Sequence, residues 1–234
     1  MSRKLIIAAN WKMNKGPAEA AAFLETFLGA AGELAEQADL VIAPNNLSIP
    51  TASELINDIN PAIGLAAQNV SQNDNGAFTG ETSTDMLKEL FVNYVIIGHS
   101  ERRSIYGETN CVINAKIKKA LAADITPLFC IGETLEEREG GKLETVLGSQ
   151  IKEGLEGISD ISNVVIAYEP VWAIGTGVTE LLNKHKIHIN TAVQLLKNFT
   201  EQKLQLQSAS SMAVLSKEQI QLSFLVNQTS TVHS

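Results

Sequence analysis

Short apolar runs recur along the first three quarters of the chain, and each is followed by a polar turn and a stretch of helical periodicity. Nearly continuous apolar runs are typical of parallel strands that are covered on both faces. Repeated strand–helix units therefore predict an α/β fold with right-handed crossovers. The predicted strands are residues 5–9, 40–43, 62–67, 94–98, 125–131 and 164–168, and the clearest predicted helices are residues 17–35 and 112–122.

Polar side chains follow several of these strands directly, namely Asn10, Lys12, His99 and Glu169. Pattern alone does not separate an open doubly wound sheet from a closed barrel. However, no Gly-x-Gly-x-x-Gly follows the first strand, and no Walker-type loop occurs. In a (β/α)₈ TIM barrel the carboxyl ends of all strands open onto one face, where the chemistry is done. We therefore favour the barrel.

The composition changes near residue 180. Residues 180–234 contain no Gly, Pro, Asp, Arg, Tyr or Trp, and all 16 glycines lie before them. A parallel barrel needs turn residues between its units, so this segment does not continue the pattern. We expect barrel units over residues 1–179 and a separate tail over 180–234, with a helix around residues 191–206.

Three longer motifs end the first, fourth and sixth predicted strands: NWKMN at residues 10–14, IGHSERR at 97–103 and AYEPVWAIGTG at 167–177. In this order and spacing they closely resemble the triosephosphate isomerase family. Residues 68–69 and 76–81 resemble that family's dimer-forming loop, and residues 128–133 resemble its fifth strand. The resemblance covers residues 1 to about 179, and it implies a homodimer with Thr79 at the tip of the dimer loop.

The resemblance implies a cofactor-free and metal-free interconversion of D-glyceraldehyde 3-phosphate and dihydroxyacetone phosphate. Glu169 would be the base, because a carboxylate that is desolvated at a strand end gains basicity. His99 would be the electrophile, kept neutral by the helix N-terminus that residues 100–101 begin. Lys12 and Asn10 would bind and polarise the substrate. Glu101 is expected to orient a neighbouring group rather than to react.

Residues 170–179 resemble the family's flexible lid, in which the Gly175 N–H would contact the substrate phosphate. Lid closure excludes water from the reaction. Val178 stands where the family usually has Lys, and the chain then departs from the family pattern. The seventh strand ending Tyr-Gly-Gly-Ser-Val and the Gly-Gly end of the eighth strand, which complete the family's phosphate site, do not occur in residues 180–234.

We hypothesise that a single frameshift close to Thr179 causes this departure. With free choice of synonymous codons, a shifted frame converts residues 183–190 into a family-like helix start, Gln-Ala-Gln-Asp-Thr-His-Lys. It converts residues 211–217 into Tyr-Gly-Gly-Ser-Val-Lys and residues 226–234 into Gln-Pro-Asn-Ile-Asp-Gly-Ala-Phe. Three matches in one frame and in the right order support the hypothesis.

Composition limits the other function classes. The net charge is −8 and no cluster of Lys or Arg stands out, which argues against nucleic acid or an anionic membrane as a partner. The first residues are too briefly apolar for a signal peptide or a membrane span, so we expect a cytoplasmic protein. The two cysteines, Cys111 and Cys130, lack metal-ligand spacing and are expected to be free thiols.

Two main hypotheses remain. The first is an active isomerase. The second is a catalytically impaired or dead barrel fragment, because six strands alone would leave an open sheet with two unpaired edges and without two phosphate loops. A different barrel aldolase or isomerase would need another base and another lid, and nothing in the sequence supports it.

Overall fold

The computed structural model describes residues 5–171 and the backbone of a strand at residues 221–227. Seven strands lie in these ranges: β1 Leu5–Asn10, β2 Ala38–Ala43, β3 Gly64–Ala67, β4 Tyr94–Ile97, β5 Thr126–Ile131, β6 Val165–Tyr168 and β7 Gln221–Asn227. The helices are α1 Pro17–Ala30, α2 Gly32–Gln37, α3 Ile49–Ile59, α4 Thr84–Glu89, α5 Ser100–Ser104, α6 Asn110–Ala122, α7 Leu135–Glu139 and α8 Leu143–Gly154, with a 3-10 turn at Asn46–Ser48.

The six predicted strands are confirmed, each within two residues of its predicted ends. They pair in chain order, and every pairing is parallel. The predicted helix over residues 17–35 is two helices, because the chain breaks at Ala31. Its predicted apolar face is confirmed, since Ala20, Leu24 and Leu28 are buried in α1.

The barrel is incomplete in the part of the chain that the structure describes, as expected, because this part contains seven parallel strands and not eight. Within it, however, the expectation of an open sheet with two unpaired edges is wrong. Strand β7 lies between β6 and β1 and pairs in parallel with both, which closes the sheet into a barrel. Val165 is opposite Gln221, and Asn10 is opposite Asn227. Pairing of this kind uses backbone N–H and C=O groups, so it does not depend on the glycine-containing turns that the tail lacks.

Apolar side chains fill two layers. The inner layer occupies the barrel and is built from small and branched residues, among them Ile6, Val41, Leu128 and Ala167. The outer layer packs the helices onto the strands, with Leu24, Ile117 and Phe129 as large, fully buried members. Both layers are typical of a β/α barrel, whose carboxyl-end loops then form one continuous face.

Gly175, most of the lid at residues 172–179 and the helix expected over residues 191–206 lie outside the described residues. Among the helices that the structure does describe, none is long and apolar enough to cross a membrane.

Candidate functional site

The carboxyl ends of β4 and β6 bring together the expected base, Glu169, and the expected electrophile, His99. His99 follows β4 and Glu169 follows β6, and both are almost fully buried. The His99 Nε2 and Glu169 Oε2 atoms are 3.5 Å apart. None of His99 Nε2, Glu169 Oε1 and Glu169 Oε2 has a hydrogen-bond partner among the described residues. Buried polar atoms are nearly always paired in folded proteins, so this group faces a place where a polar ligand belongs.

The environment of Glu169 favours its protonated form. Burial raises the pKa of Glu169 to about 7, the positive charge of Lys12 acts to lower it, and Glu101 acts to raise it. Such a carboxyl group ionises near neutral pH and can then accept a proton from carbon. The backbone of Glu169 is fixed, because its N–H donates to the Ile131 carbonyl at 2.8 Å.

His99 lies at the start of a helix. It is the N-cap of α5, and its Nδ1 accepts a hydrogen bond from the Glu101 N–H at 3.2 Å. Since Nδ1 is an acceptor, the ring proton is assigned to Nε2, which faces Glu169. Burial lowers the pKa of His99; the charge of Glu101 opposes this and that of Lys12 adds to it. A neutral Nε2–H can therefore donate to a substrate oxygen.

Lys12 reaches the site through an unusual backbone conformation. Its φ angle is +52°, in the left-handed region that non-glycine residues seldom adopt. Two neighbours hold it there: the Asn10 Oδ1 accepts from the Lys12 N–H at 2.9 Å, and the Gln68 Nε2 donates to the Lys12 carbonyl at 2.8 Å. Strain retained under such restraint is typical of functional positions.

The Lys12 ammonium contacts Glu101, with Nζ and Oε1 2.8 Å apart. Glu101 therefore touches both expected reactive partners, because its N–H binds His99 and its carboxylate binds Lys12. The orienting role of Glu101 stays a prediction. Asn10 is buried at the end of β1, where its side chain supports Lys12.

A cavity of about 370 Å³ opens beside these residues. Its lining includes Asn10, Lys12, His99 and Glu101, together with parts of the loop that follows β3. That loop carries Thr79, which is exposed and precedes Gly80, a lining residue with a φ angle of +92°. The described structure thus collects Asn10, Lys12, His99, Glu101 and Glu169 at one end of the barrel, while Gly175 lies outside the described residues.

A second buried carboxylate lies on the neighbouring strand, and the sequence did not single it out. Glu133 follows β5 and is fully buried. It accepts hydrogen bonds from the Arg138 Nη1 at 2.9 Å and from the Tyr168 hydroxyl at 3.1 Å to each oxygen. Burial and the charge of Glu133 raise the pKa of Tyr168, which keeps its hydroxyl a donor.

Two glutamines that were not among the expected site residues also contact the backbone of the site. Gln68 binds the Lys12 carbonyl, and Gln150 binds both backbone polar groups of Gly132. Gln68 could have been found, because it directly follows β3 and so lies at the same end of the barrel as the other candidates. Gln150 lies within helix α8 and is half-buried, like many polar residues at the edge of a helix face. No sequence signal therefore identifies it.

Known proteins resemble this chain over most of its length. The family model described as "Triosephosphate isomerase" matches residues 5–216. A protein named triosephosphate isomerase from Prosthecochloris aestuarii is 46% identical over 201 residues, covering 85% of this chain and 79% of its own length. Relatives with the same name from Chlorobium chlorochromatii and Dictyoglomus thermophilum are 50% and 51% identical over 177 residues, covering 76% and 75% of this chain and 69% and 70% of their own lengths. This chain belongs to the triosephosphate isomerase family.

Proposed function

We propose that this chain interconverts D-glyceraldehyde 3-phosphate and dihydroxyacetone phosphate through an enediolate, a reaction of glycolysis and gluconeogenesis. The observation that carries the proposal is the buried Glu169 carboxyl group, which has no hydrogen-bond partner among the described residues and lies 3.5 Å from His99 Nε2. A buried carboxyl group without hydrogen-bond partners lowers the stability of the folded chain. Its raised pKa, however, suits a base that takes a proton from carbon.

Each proposed step follows from the position of a side chain. The ionised Glu169 removes a proton from the carbon next to the carbonyl, and the C–H electron pair moves to form the enediolate. His99 Nε2–H gives a proton to the oxygen of the original carbonyl, and Nε2 then takes the hydroxyl proton from the neighbouring oxygen, which becomes the new carbonyl. Lys12 and Asn10 stabilise the negative charge that develops on these oxygens. The protonated Glu169 then returns its proton to the neighbouring carbon, so no cofactor or metal is consumed. The Gly175 N–H is assigned to the phosphate.

Lys12 must exchange one partner for another when substrate binds. Its ammonium contacts the Glu101 carboxylate without substrate, and a triose phosphate brings oxygens that compete for the same charge. Glu101 stays attached to the site through its N–H bond to His99. Substrate binding therefore changes the charge around Glu169, because Lys12 lowers its pKa and Glu101 raises it.

A homodimer is part of the proposal, with the exposed loop around Thr79 reaching the partner. Exposed apolar side chains lie on and near this surface, since Met13 is 96% exposed and Phe78 is 46% exposed. Such residues favour a protein partner. Sedimentation equilibrium should give a mass near twice 25.2 kDa, and a monomer at micromolar concentration would contradict this.

We also place the protein in the cytoplasm, where Cys111 and Cys130 stay reduced.

We further propose that residues 180–234 arise from a shifted reading frame. The support is the loss of every glycine beyond residue 177 together with the three family-like segments in one alternative frame. The nucleotide sequence tests this directly: an open shifted frame should encode Tyr-Gly-Gly-Ser near codons 211–217. A stop codon or an unrelated sequence there would refute the frameshift.

The deciding experiment is a coupled assay on D-glyceraldehyde 3-phosphate with this polypeptide as it stands. We expect turnover in this chain and none above background in Glu169→Gln, which keeps the shape of the side chain but removes the base. The variant is produced in the same host, so it also measures contaminating isomerase. Equal rates in the two proteins would overturn the proposed function and favour the impaired fragment.

A further inference from the structure

We infer that Gln150 is a positioning residue for Glu169 and acts through the backbone of Gly132. The inference rests on the proposed role of Glu169 as base. The Gln150 Oε1 accepts from the Gly132 N–H at 2.9 Å, and its Nε2 donates to the Gly132 carbonyl at 2.9 Å. One side-chain amide therefore satisfies both polar groups of a single residue, as a neighbouring strand would.

Gly132 needs this partner because of where β5 ends. The carbonyls of Ile131 and Glu133 accept from the N–H groups of Glu169 and Val171, at 2.8 and 3.1 Å. Successive residues of an extended strand direct their polar groups to opposite edges, so those of Gly132 face away from β6. Regular pairing of β4 with β5 ends at Ile97 and Phe129. Beyond that point the Gln150 amide takes the place of a strand.

The contact between Gly132 and Glu169 is unusually close. A Cβ atom added at residue 132 would lie 1.8 Å from the Glu169 carbonyl oxygen, so only glycine fits. A shift of the Gly132 backbone therefore moves the Glu169 backbone directly. Ile131 and Glu133, on either side of Gly132, also accept hydrogen bonds from the segment that contains Glu169. Residues 131–133 therefore form a backbone template that positions the base.

Glu169 depends on that template because its carboxylate has no hydrogen bond of its own among the described residues. Gln150, in contrast, sits on a firmly packed helix: Leu147 and Ile151, on the same face of α8, are buried. Gln150 thus connects the well-packed helix α8 to the end of β5, which positions Glu169. A displacement of about 1 Å at a reacting group can cost roughly 10²-fold in rate.

The test compares Gln150→Met, which keeps the length of the side chain and loses both hydrogen bonds, with Ser149→Ala. The control removes an exposed hydrogen bond to Glu153 from the adjacent position of the same helix. We expect Gln150→Met to lower kcat by roughly 10- to 100-fold with KM changed less than about twofold. Ser149→Ala should leave both constants unchanged. Gln150→Asn, which keeps the amide one methylene short, replaces the methionine variant if that variant does not fold.

A second measurement does not depend on turnover. Carbon-13 NMR of glutamate side chains, with Glu169→Gln to identify the signal, follows the titration of Glu169. In Gln150→Met the base should become better hydrated and titrate at a lower pH than in the unchanged chain. A folded Gln150→Met protein with unchanged kcat and unchanged Glu169 titration overturns the inference. Absence of turnover in the unchanged chain would instead refute the proposed function, and the NMR titration would still decide the role of Gln150.

Discussion

The ends of β5 and β6 carry two buried carboxylates in opposite situations. Glu133, after β5, accepts a hydrogen bond from the Tyr168 hydroxyl at each oxygen and one from the Arg138 Nη1 at Oε1. Glu169, after β6, is 5% exposed and has no hydrogen-bond partner among the described residues. Both carboxyl groups are buried to a similar degree, so burial alone does not make a base. The difference lies in the partners: a paired carboxylate holds the fold together, whereas a bare one remains available to a substrate.

The largest expected effect concerns geometry at the bare carboxylate. Glu169→Asp keeps the charge and withdraws it by about one methylene from the substrate carbon. We expect kcat to fall by roughly 10²-fold or more while KM changes little, because the lost interaction operates in the transition state. Steady-state kinetics of the purified variant measure both constants. A change confined to KM would count against Glu169 as the base.

The second effect concerns the stability cost of keeping Glu169 bare. Its folded pKa of about 7 lies above the ordinary value of 4.5, so the folded chain binds more protons than the unfolded chain between those pH values. The free energy of unfolding should therefore fall as pH rises from 4.5 to 7. Glu169→Gln removes this slope and should be more stable than the unchanged chain at pH 8 by at most about 3 kcal/mol.

Urea unfolding at pH 8 and pH 4.5 measures that difference. Most of the gain should disappear at the lower pH, where Glu169 is protonated in the folded chain and about half protonated in the unfolded chain. A variant less stable than the unchanged chain at pH 8 would show that Glu169 has stabilising partners when ionised.

The paired carboxylate should respond in the opposite direction. Glu133→Gln removes the ion pair with Arg138, and we expect a loss of about 2 kcal/mol in the free energy of unfolding at pH 8. The estimate lies below the range for fully buried pairs because the Arg138 side chain is 20% exposed. Glu136→Gln, at an exposed position in α7, is the matched control and should change stability by less than about 0.5 kcal/mol. An equal loss of unfolding free energy in Glu133→Gln and Glu136→Gln would show that the partners of Glu133 do not stabilise the fold.

The smallest effect tests the charges around Glu169. The negative charge of Glu101 raises the pKa of Glu169, and the positive charge of Lys12 lowers it. Glu101→Gln removes the first charge and frees the second, so the rise of kcat/KM with pH should begin at a lower pH than in the unchanged chain. Glu81→Gln neutralises another carboxylate that lines the same cavity and should shift the profile less. An upward shift in Glu101→Gln would contradict the assigned electrostatics.

Much of the fold could be predicted from the chain alone. The six strands from β1 to β6 are continuous apolar runs, because parallel strands in a barrel are covered on both faces. The N-cap position of His99 also followed from local sequence, since residues 100–101 begin a helix directly after a strand. The family could be recognised for the same reason: its motifs are short segments at strand ends, and their spacing is recorded in the chain.

Contacts between distant segments could not be predicted. Strand β7 closes the barrel through backbone pairing with β6 and β1, although the composition of the tail argued against any further strand. In the same way, Gln68 and Gln150 are ordinary polar residues until the fold places them against Lys12 and Gly132.

Glu133 and Glu169 show which properties the sequence determines and which depend on the tertiary structure. Sequence determined that a carboxylate follows β5 and another follows β6, and the surrounding motifs favoured Glu169 as the base. Only the tertiary structure decided that Arg138 and Tyr168 bind Glu133, and that Glu169 has no hydrogen-bond partner in the described part of the chain. The physical reason is that a carboxyl group acquires its pKa from burial and from charges brought to it by other strands, and these distances exist only in the folded chain.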